Sequence, residues 1–174
     1  MTRTYLSLTL LIVLTSHSVL SHARPEFIVG TQFGIADVDY SGYDSSSSQG
    51  FRLGVAPHPN LEVQLRTLEF DKFELDNSLS AYIEADMLGV NLSAHTQSYK
   101  WFSAAVDLGY YRWKGEAFAL NQKIGKERDN SYSLGISLYL QPLDFLRVGL
   151  SVDQLQDLFG ESVRLGLLMV EFIY

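Results

Sequence analysis

Residues 131–152 read SYSLGISLYLQPLDFLRVGLSV and contain two alternations of apolar and polar residues. In the first, every second residue from Tyr132 to Leu140 is aromatic or aliphatic, and the residues between them are mostly serine and glycine. Gln141–Asp144 has the composition of a turn, and the alternation resumes from Leu146 to Val152. Because successive side chains leave opposite faces of a strand, this period of two predicts an antiparallel hairpin.

The same alternation recurs six more times, at residues 29–36, 50–56, 61–66, 87–93, 102–109 and 163–167, so eight strands are predicted. Three connections are short: Pro57–Asn60, His95–Lys100 and Gln141–Asp144. The others are generally longer: Asp37–Ser48, Asp71–Asn77, Lys114–Asn130 and Leu155–Gly160. An even strand number with alternating short turns and long loops is typical of an outer-membrane barrel, with both termini in the periplasm.

The N-terminus has the features of a secretory signal peptide. Arg3 gives a short positive region, Tyr5–Leu14 is almost continuously apolar, and Ser21–Ala23 offers small residues for cleavage. A membrane anchor is the alternative, but a spanning helix needs about 20 apolar residues. We therefore predict a cleavable signal peptide over residues 1–23 and a single barrel domain over residues 24–174.

Composition excludes several classes of site. The chain has no cysteine, which rules out disulfides, thiolate metal sites and a cysteine nucleophile. Its formal net charge of −7 and the lack of a basic stripe argue against nucleic-acid binding.

The polar faces of the predicted strands carry charges that a soluble core could not bury. These residues are predicted to form a lumenal polar cluster: Arg52, Glu62, Arg66, Asp107, Arg147, Asp153 and Arg164. A soluble barrel with the aliphatic face inside, like a lipocalin, is the alternative. Aromatic residues near the strand ends favour a membrane barrel with two interfacial girdles. They are Trp101, Phe102, Phe145, Phe172 and Tyr174 on the turn side, and Tyr110, Tyr111, Trp113 and Tyr132 on the loop side.

Eight strands enclose only enough space for their own side chains, so the charged cluster is expected to plug the lumen. Arg52 with Glu62 is the first pair expected. Gly149 is expected to face the lumen, and Gly149→Ser is expected to cost far less stability than Val148→Arg on the lipid face. The last strand is ambiguous, because Val163 and Phe172 have opposite parity. A one-residue slip between Leu168 and Glu171, or a C-terminus below the bilayer, would account for it.

Leu108–Trp113, with the sequence Leu-Gly-Tyr-Tyr-Arg-Trp, resembles a strand end of the OmpA-like family of small outer-membrane barrels. The charged loop, the 131–152 hairpin and a final strand ending in an aromatic follow in the family's order, so the resemblance covers about residues 78–174. It implies an eight-stranded antiparallel transmembrane barrel whose C-terminal strand is read by the barrel-assembly machinery. The peptidoglycan-binding domain of OmpA itself is not expected here.

Three segments suggest chemistry but have simpler interpretations. Asp37–Gly42 matches the opening of a calcium loop, but Ser48 stands where the loop needs glutamate, which favours a solvated loop. His95 and His58 are interpreted as exposed turn residues, since no carboxylate is placed to orient a catalytic imidazole. Lys123–Asp129 could pair with lipopolysaccharide phosphates, but an ordinary mobile loop is favoured.

The sequence therefore predicts a non-enzymatic integral barrel of the bacterial outer membrane, with a structural or surface-interaction role. No catalytic residue, cofactor or metal is expected. The expected partners are outer-membrane lipids, lipopolysaccharide and the assembly machinery, with no nucleic acid, and a monomer is expected. Two alternatives stay open: a small lumenal channel and a lipid-modifying outer-membrane enzyme.

Overall fold

The computed structural model describes residues 25–39, 42–75, 81–96, 101–120, 122–158 and 160–174. Eight antiparallel strands form a closed barrel in sequence order. They are β1 (Glu26–Val38), β2 (Ser46–His58), β3 (Leu61–Glu74), β4 (Ala81–His95), β5 (Phe102–Ala119), β6 (Gln122–Leu143), β7 (Leu146–Leu158) and β8 (Glu161–Ile173). The predicted fold is confirmed. The signal-peptide prediction lies outside the described residues, and among those described no helix is long and apolar enough to cross a membrane.

The apolar residues of the strands face outward. On β6, Ile136 is 63% exposed whereas the next residue, Ser137, is 1% exposed. The same contrast holds around the barrel, with Leu53, Val90 and Leu108 outside. This arrangement is the inverse of a soluble barrel and gives the continuous apolar belt that lipid requires. The lipocalin-like alternative is therefore excluded by the side-chain orientation.

Aromatic residues ring the belt at both ends. Trp101, Phe145 and Tyr174 are exposed at the end of the barrel with the short connections, hereafter the turn end. At the opposite or loop end, Tyr110 and Tyr132 are exposed and their ring centroids lie 5.2 Å apart. Such rings mark the two membrane–water interfaces.

Tyr111 and Trp113 do not belong to the girdle predicted for the loop end. Their side chains are only 1% and 2% exposed, respectively, and point into the barrel. The reason is parity, since both share the inward face of β5 with Asp107 and Gly109.

The last strand was assigned to the wrong face from sequence. Val163 and Leu165 are buried inside, whereas Phe172 is exposed outside. The pairing of β8 with β1 is unbroken from Ile28–Ile173 to Val38–Val163, so neither a slip nor a displaced C-terminus is needed. Leu168 and Leu167 illustrate the difficulty, because apolar residues occupy both faces of this strand.

The predicted long loops are shorter than expected, because the flanking strands extend into all four of them. β5 and β6 continue as a paired hairpin through the segment predicted as the loop Lys114–Asn130, up to the pair Ala119–Gln122. Lys123–Asp129 is therefore part of a strand and not a loop. Similarly, β3 extends to Glu74. The charges of these segments reflect their position beyond the lipid belt, and charge alone does not distinguish an exposed strand from a loop.

Candidate functional site

The turn half of the lumen holds a connected ionic network. The Glu171 carboxylate lies 3.1 Å from Arg52 Nη1 and 2.5 Å from Arg147 Nε. Arg147 Nη2 in turn lies 2.8 Å from Glu62 Oε2. All four side chains are nearly or completely buried. Each charge has an opposite partner, which is the condition for stable burial of ions.

Neutral groups complete this network, hereafter the ionic network. Arg52 Nε donates a hydrogen bond of 2.8 Å to Gln64 Oε1, and Arg52 Nη2 lies 3.3 Å from the Tyr139 hydroxyl. Gln64 also donates to Glu62. The Arg147 guanidinium stacks over the Tyr139 ring, 4.4 Å from its centroid. The predicted Arg52–Glu62 pair is replaced by Arg52–Glu171, because the directly paired neighbour of Arg52 on β3 is Arg66.

A second polar group lies nearer the middle of the barrel. Arg66 Nη2 lies 3.1 Å from Asp153 Oδ2 and 3.0 Å from Gln32 Oε1. Asp107 accepts hydrogen bonds from Ser93, Ser137 and Asn91, which bring neutral donors to both of its oxygens. Six of the seven residues assigned to the lumenal cluster from sequence thus lie buried in the lumen: Arg52, Glu62, Arg66, Asp107, Arg147 and Asp153.

Arg164 is the exception and lies on the outer surface. Its guanidinium is 64% exposed and pairs with Asp39 at 2.6 Å. Its orientation follows from the corrected parity of β8. Asp39 belongs to the segment interpreted as a possible calcium loop, which lies partly outside the described residues. In the part of the chain that the structure describes, no group of three or more acidic or histidine side chains could hold a metal ion.

The loop half of the lumen is apolar. Leu68, Phe73, Trp113, Leu155 and Leu165 are each at most 2% exposed and pack into one cluster. The remaining members of this cluster are Ala36, Val38, Phe70, Ala85, Met87, Tyr111, Leu158, Val163 and Leu167. We call it the apolar stopper. The sequence analysis expected a polar lumen throughout and missed it.

Two buried residues of the turn half were also missed. Glu171 was hidden by the ambiguous alternation of β8, and the inward position of Arg147, its direct neighbour on β7, was the available signal. His95 was interpreted as an exposed turn residue. It instead ends β4 with a side chain only 6% exposed, and its Nε2 lies 3.2 Å from Glu62 Oε2. His58 is the last residue of β2 and is exposed, and its Nδ1 accepts a hydrogen bond from the Asn60 amide.

Outward-facing cations lie just beyond the loop-end girdle. Lys114 on β5 lies directly opposite Arg128 on β6 in the strand register. Arg112 and Lys126 occupy neighbouring outward positions. We call these four residues the basic rim. A surface groove of about 370 Å³ is lined by Arg112, Lys114 and Arg128, by Leu88, and by the carboxylates Glu69 and Asp86. The rim is accessible to molecules at the membrane surface.

Electrostatics within the hairpin distinguish paired from unpaired charges. Hydrogen bonds from Lys114 and Lys123 lower the pKa of Glu116 to about 2. The Arg128 guanidinium is the main cause of a lowered pKa at Lys126. Crowded cations of this kind gain from a bound anion, because it removes their mutual repulsion.

Solved structures of outer-membrane barrels share this fold. The N-terminal β-barrel domain of Pseudomonas aeruginosa OprF has a TM-score of 0.64 and 13% identity, with 84% of this chain and 97% of that domain covered. Neisserial surface protein A has a TM-score of 0.65 and 6% identity, with 86% and 97% covered. Ail, the attachment invasion locus protein of Yersinia pestis, has a TM-score of 0.58 and 14% identity, with 86% and 98% covered.

In comparisons of sequence, no family model and no curated protein matches this chain. At identities this low, structural likeness establishes the fold and not an activity. The neighbours are bacterial outer-membrane proteins. The outward apolar belt, the two aromatic girdles and the buried polar side chains of the interior agree with that likeness. The chain has the fold of the small eight-stranded outer-membrane barrels to which OmpA-like proteins belong.

Proposed function

We propose that this protein is a non-enzymatic barrel of the outer membrane that acts through its outer surface rather than through its lumen. The observation that supports the proposal is that large side chains are buried inside the barrel at both ends. Arg52 and Glu171 are completely buried in the turn half, and Trp113 and Leu155 in the loop half. A lumen occupied by its own side chains offers no aqueous path. The small channel is therefore the less favoured function.

The β5–β6 hairpin is the surface best suited to an interaction. It continues beyond Tyr110 and Tyr132, whereas the pairing of β6 with β7 begins only at Tyr132–Gln156. Within the described residues, β6 therefore has a free edge over residues 122–131. A free strand edge can pair with an extended segment of a partner, and its lysines guard against unspecific pairing.

The basic rim supports lipopolysaccharide as a partner. Arg112 and Arg128 flank an apolar groove at the height of the outer interface, so they can contact a phosphate while Leu88 contacts an acyl chain. Guanidinium groups suit this task because they bind phosphate with two parallel hydrogen bonds. Ail has been solved with sucrose octasulfate, a heparin analogue, which shows a polyanion on a barrel of the same fold.

The C-terminal strand supports contact with the barrel-assembly machinery. Phe172 and Tyr174 are exposed on the lipid side at the turn end. This is the outward aromatic terminus that the OmpA-like resemblance implies. The protein is proposed to be a monomer, since closure of β1 against β8 leaves no unpaired barrel edge in the spanning region.

The test is binding of purified lipid A to the protein in phospholipid nanodiscs. Replacing Arg112 and Arg128 together by glutamine is expected to weaken binding at least about tenfold, because each charge-assisted hydrogen bond contributes about 1.5–3 kcal/mol. Arg164→Gln is the matched control, because Arg164 is an outward arginine already paired with Asp39. Equal loss in both variants would contradict a specific rim site.

Two further measurements separate the alternatives. Planar bilayers containing the wild-type protein are expected to show no steady conductance, and a large one would establish the channel. Mass spectrometry of lipid A from an overexpressing strain is expected to show no new species. A new acylation pattern that depends on this protein would establish the lipid-modifying enzyme and overturn the proposal.

A further inference from the structure

The buried charges in the middle of the lumen do not balance. In the ionic network of the turn half, two arginines face two glutamates, so that network is neutral. Among the described residues, the second polar group has one buried cation, Arg66, and two buried carboxylates, Asp107 and Asp153. An unmatched charge is costly in a barrel surrounded by lipid, so this group is expected to hold one further positive charge.

The two carboxylates of this group converge on one place on β6. In the strand register, Gly135 on β6 lies directly between Asp107 on β5 and Asp153 on β7. A Cβ added at Gly135 would overlap Asp153 Oδ1, so this oxygen lies over β6. Asp107 Oδ2 accepts a hydrogen bond from Ser137, which is also on β6. The carboxylates therefore approach β6 from its two sides, and Gly135 places no side chain between them.

Two buried oxygens at this place lack a hydrogen-bond donor. Asp153 pairs with Arg66 through Oδ2, whereas its Oδ1 has no partner within the described part of the chain. The same holds for the hydroxyl of Ser151, which lies directly opposite Ser137 in the register. Asp153 and Ser151 are only 2% and 5% exposed, respectively. Because buried polar atoms are rarely left without a partner, these two oxygens point to a ligand at this place.

The chemistry of the surrounding groups selects a small cation as that ligand. Carboxylate and hydroxyl oxygens are the ligands that hard cations prefer. The excess of one negative charge matches a monovalent ion, whereas calcium or magnesium would overcompensate it. A water molecule could donate hydrogen bonds to Asp153 Oδ1 and Ser151, but it would leave the charge unbalanced. Asp107 accepts hydrogen bonds at both of its oxygens, so it is satisfied as an anion without a proton of its own.

We propose that the middle of the lumen binds one monovalent alkali-metal cation over Gly135. Asp153 Oδ1 and the Ser151 hydroxyl hold the ion, and the Asp107 carboxylate supplies the second negative charge. The bound ion makes the interior electrically neutral. It lies between the ionic network and the apolar stopper, so it enters before the barrel closes. Folding of this protein therefore takes up a cation.

The direct test is diffraction from wild-type protein that has been refolded and crystallised in rubidium chloride. Rubidium is an alkali-metal cation whose anomalous scattering marks its position. A peak is expected beside Asp153 Oδ1 and Ser151 Oγ. No peak at this place, or peaks on the outer surface only, would overturn the proposal, because water and protons give no such signal. This measurement needs no variant, so it stays decisive even if a substitution prevents folding.

The second test measures the contribution of the ion to stability. Urea unfolding is followed in detergent micelles at constant ionic strength while rubidium chloride replaces choline chloride. Above the dissociation constant of the site, a tenfold rise in rubidium is expected to shift the equilibrium toward the folded state by about tenfold, because only the folded barrel binds the ion.

Two matched variants separate the buried site from general salt effects. Asp107→Asn removes the excess charge with little change in volume and is expected to abolish the rubidium response. Asp39→Asn makes the same change at a carboxylate on the outer surface, where it pairs with Arg164, and is expected to keep the response. The absence of a response in the wild type, or an equal response in Asp107→Asn, would contradict the proposal.

Discussion

The two halves of the lumen pack their inward side chains by different interactions. In the turn half, Arg52, Arg147, Glu62 and Glu171 fill space with paired charges. In the loop half, side chains such as Leu165 fill it by hydrophobic packing. Ionic pairing depends on every partner being present, whereas packing depends on volume. The halves should therefore fail in different ways when a single residue is changed.

The largest effect is expected in the turn half. Glu171→Ala leaves Arg52 and Arg147 short of a partner, and breaking a buried pair costs about 3–5 kcal/mol. Urea unfolding in bilayers should show this loss. Adding Arg52→Ala should recover part of it, because the unmatched cation is then removed. Strictly additive losses would mean that the network is not a coupled unit.

The exposed ion pair Arg164–Asp39 provides the control for that cycle. Arg164→Ala should change the stability by at most about 1 kcal/mol, because solvent screens the pair. A loss as large as that of Glu171→Ala would show that burial is not the deciding factor.

The loop half should respond to lost volume. Leu165→Ala should destabilise the barrel by about 2–5 kcal/mol, because Leu165 is 1% exposed and its removal leaves a cavity. Leu168→Ala on the same strand is the control, since Leu168 is 45% exposed toward lipid. Both are measured by the same unfolding assay. Similar losses would argue against a tightly packed stopper.

The smallest loss expected for a change inside the lumen concerns Gly149, whose Cα lies against the Tyr139 ring. A Cβ added at Gly149 would lie 2.7 Å from Tyr139 Cδ1 and from Met169 Cε. Gly149→Ser should therefore cost about 1–3 kcal/mol through overpacking, whereas the sequence predicted only a small loss at this position. Gly166→Ala is the control, because nothing lies within 4 Å of its added carbon. That variant should be neutral or stabilise by about 0.4–1 kcal/mol, and equal losses would contradict crowding at Gly149.

Sequence periodicity predicted the barrel because seven strands separate apolar from polar residues by face in the half nearer the turn end. On β8 the pattern fails, since Leu167 and Leu168 are both apolar while one faces the stopper and the other faces lipid. The position of Glu171 was lost with it. His95 could not be found from local sequence either, because its burial depends on Glu62 across the strand pair and on Tyr139 across the barrel. Contacts between distant strands depend on stagger, which period alone does not encode.

The contact between Arg52 and Glu171 also has a consequence for biogenesis. Arg52 lies on β2 and Glu171 on β8, so the contact spans the seam at which β1 meets the last strand. An open sheet on its way into the bilayer would carry Arg52 without this counter-ion. Closure of the seam therefore also supplies Arg52 with its counter-ion, whereas a sheet with an open seam carries this arginine without one. A partly closed barrel is therefore disfavoured, because Arg52 lacks Glu171 until the seam is complete.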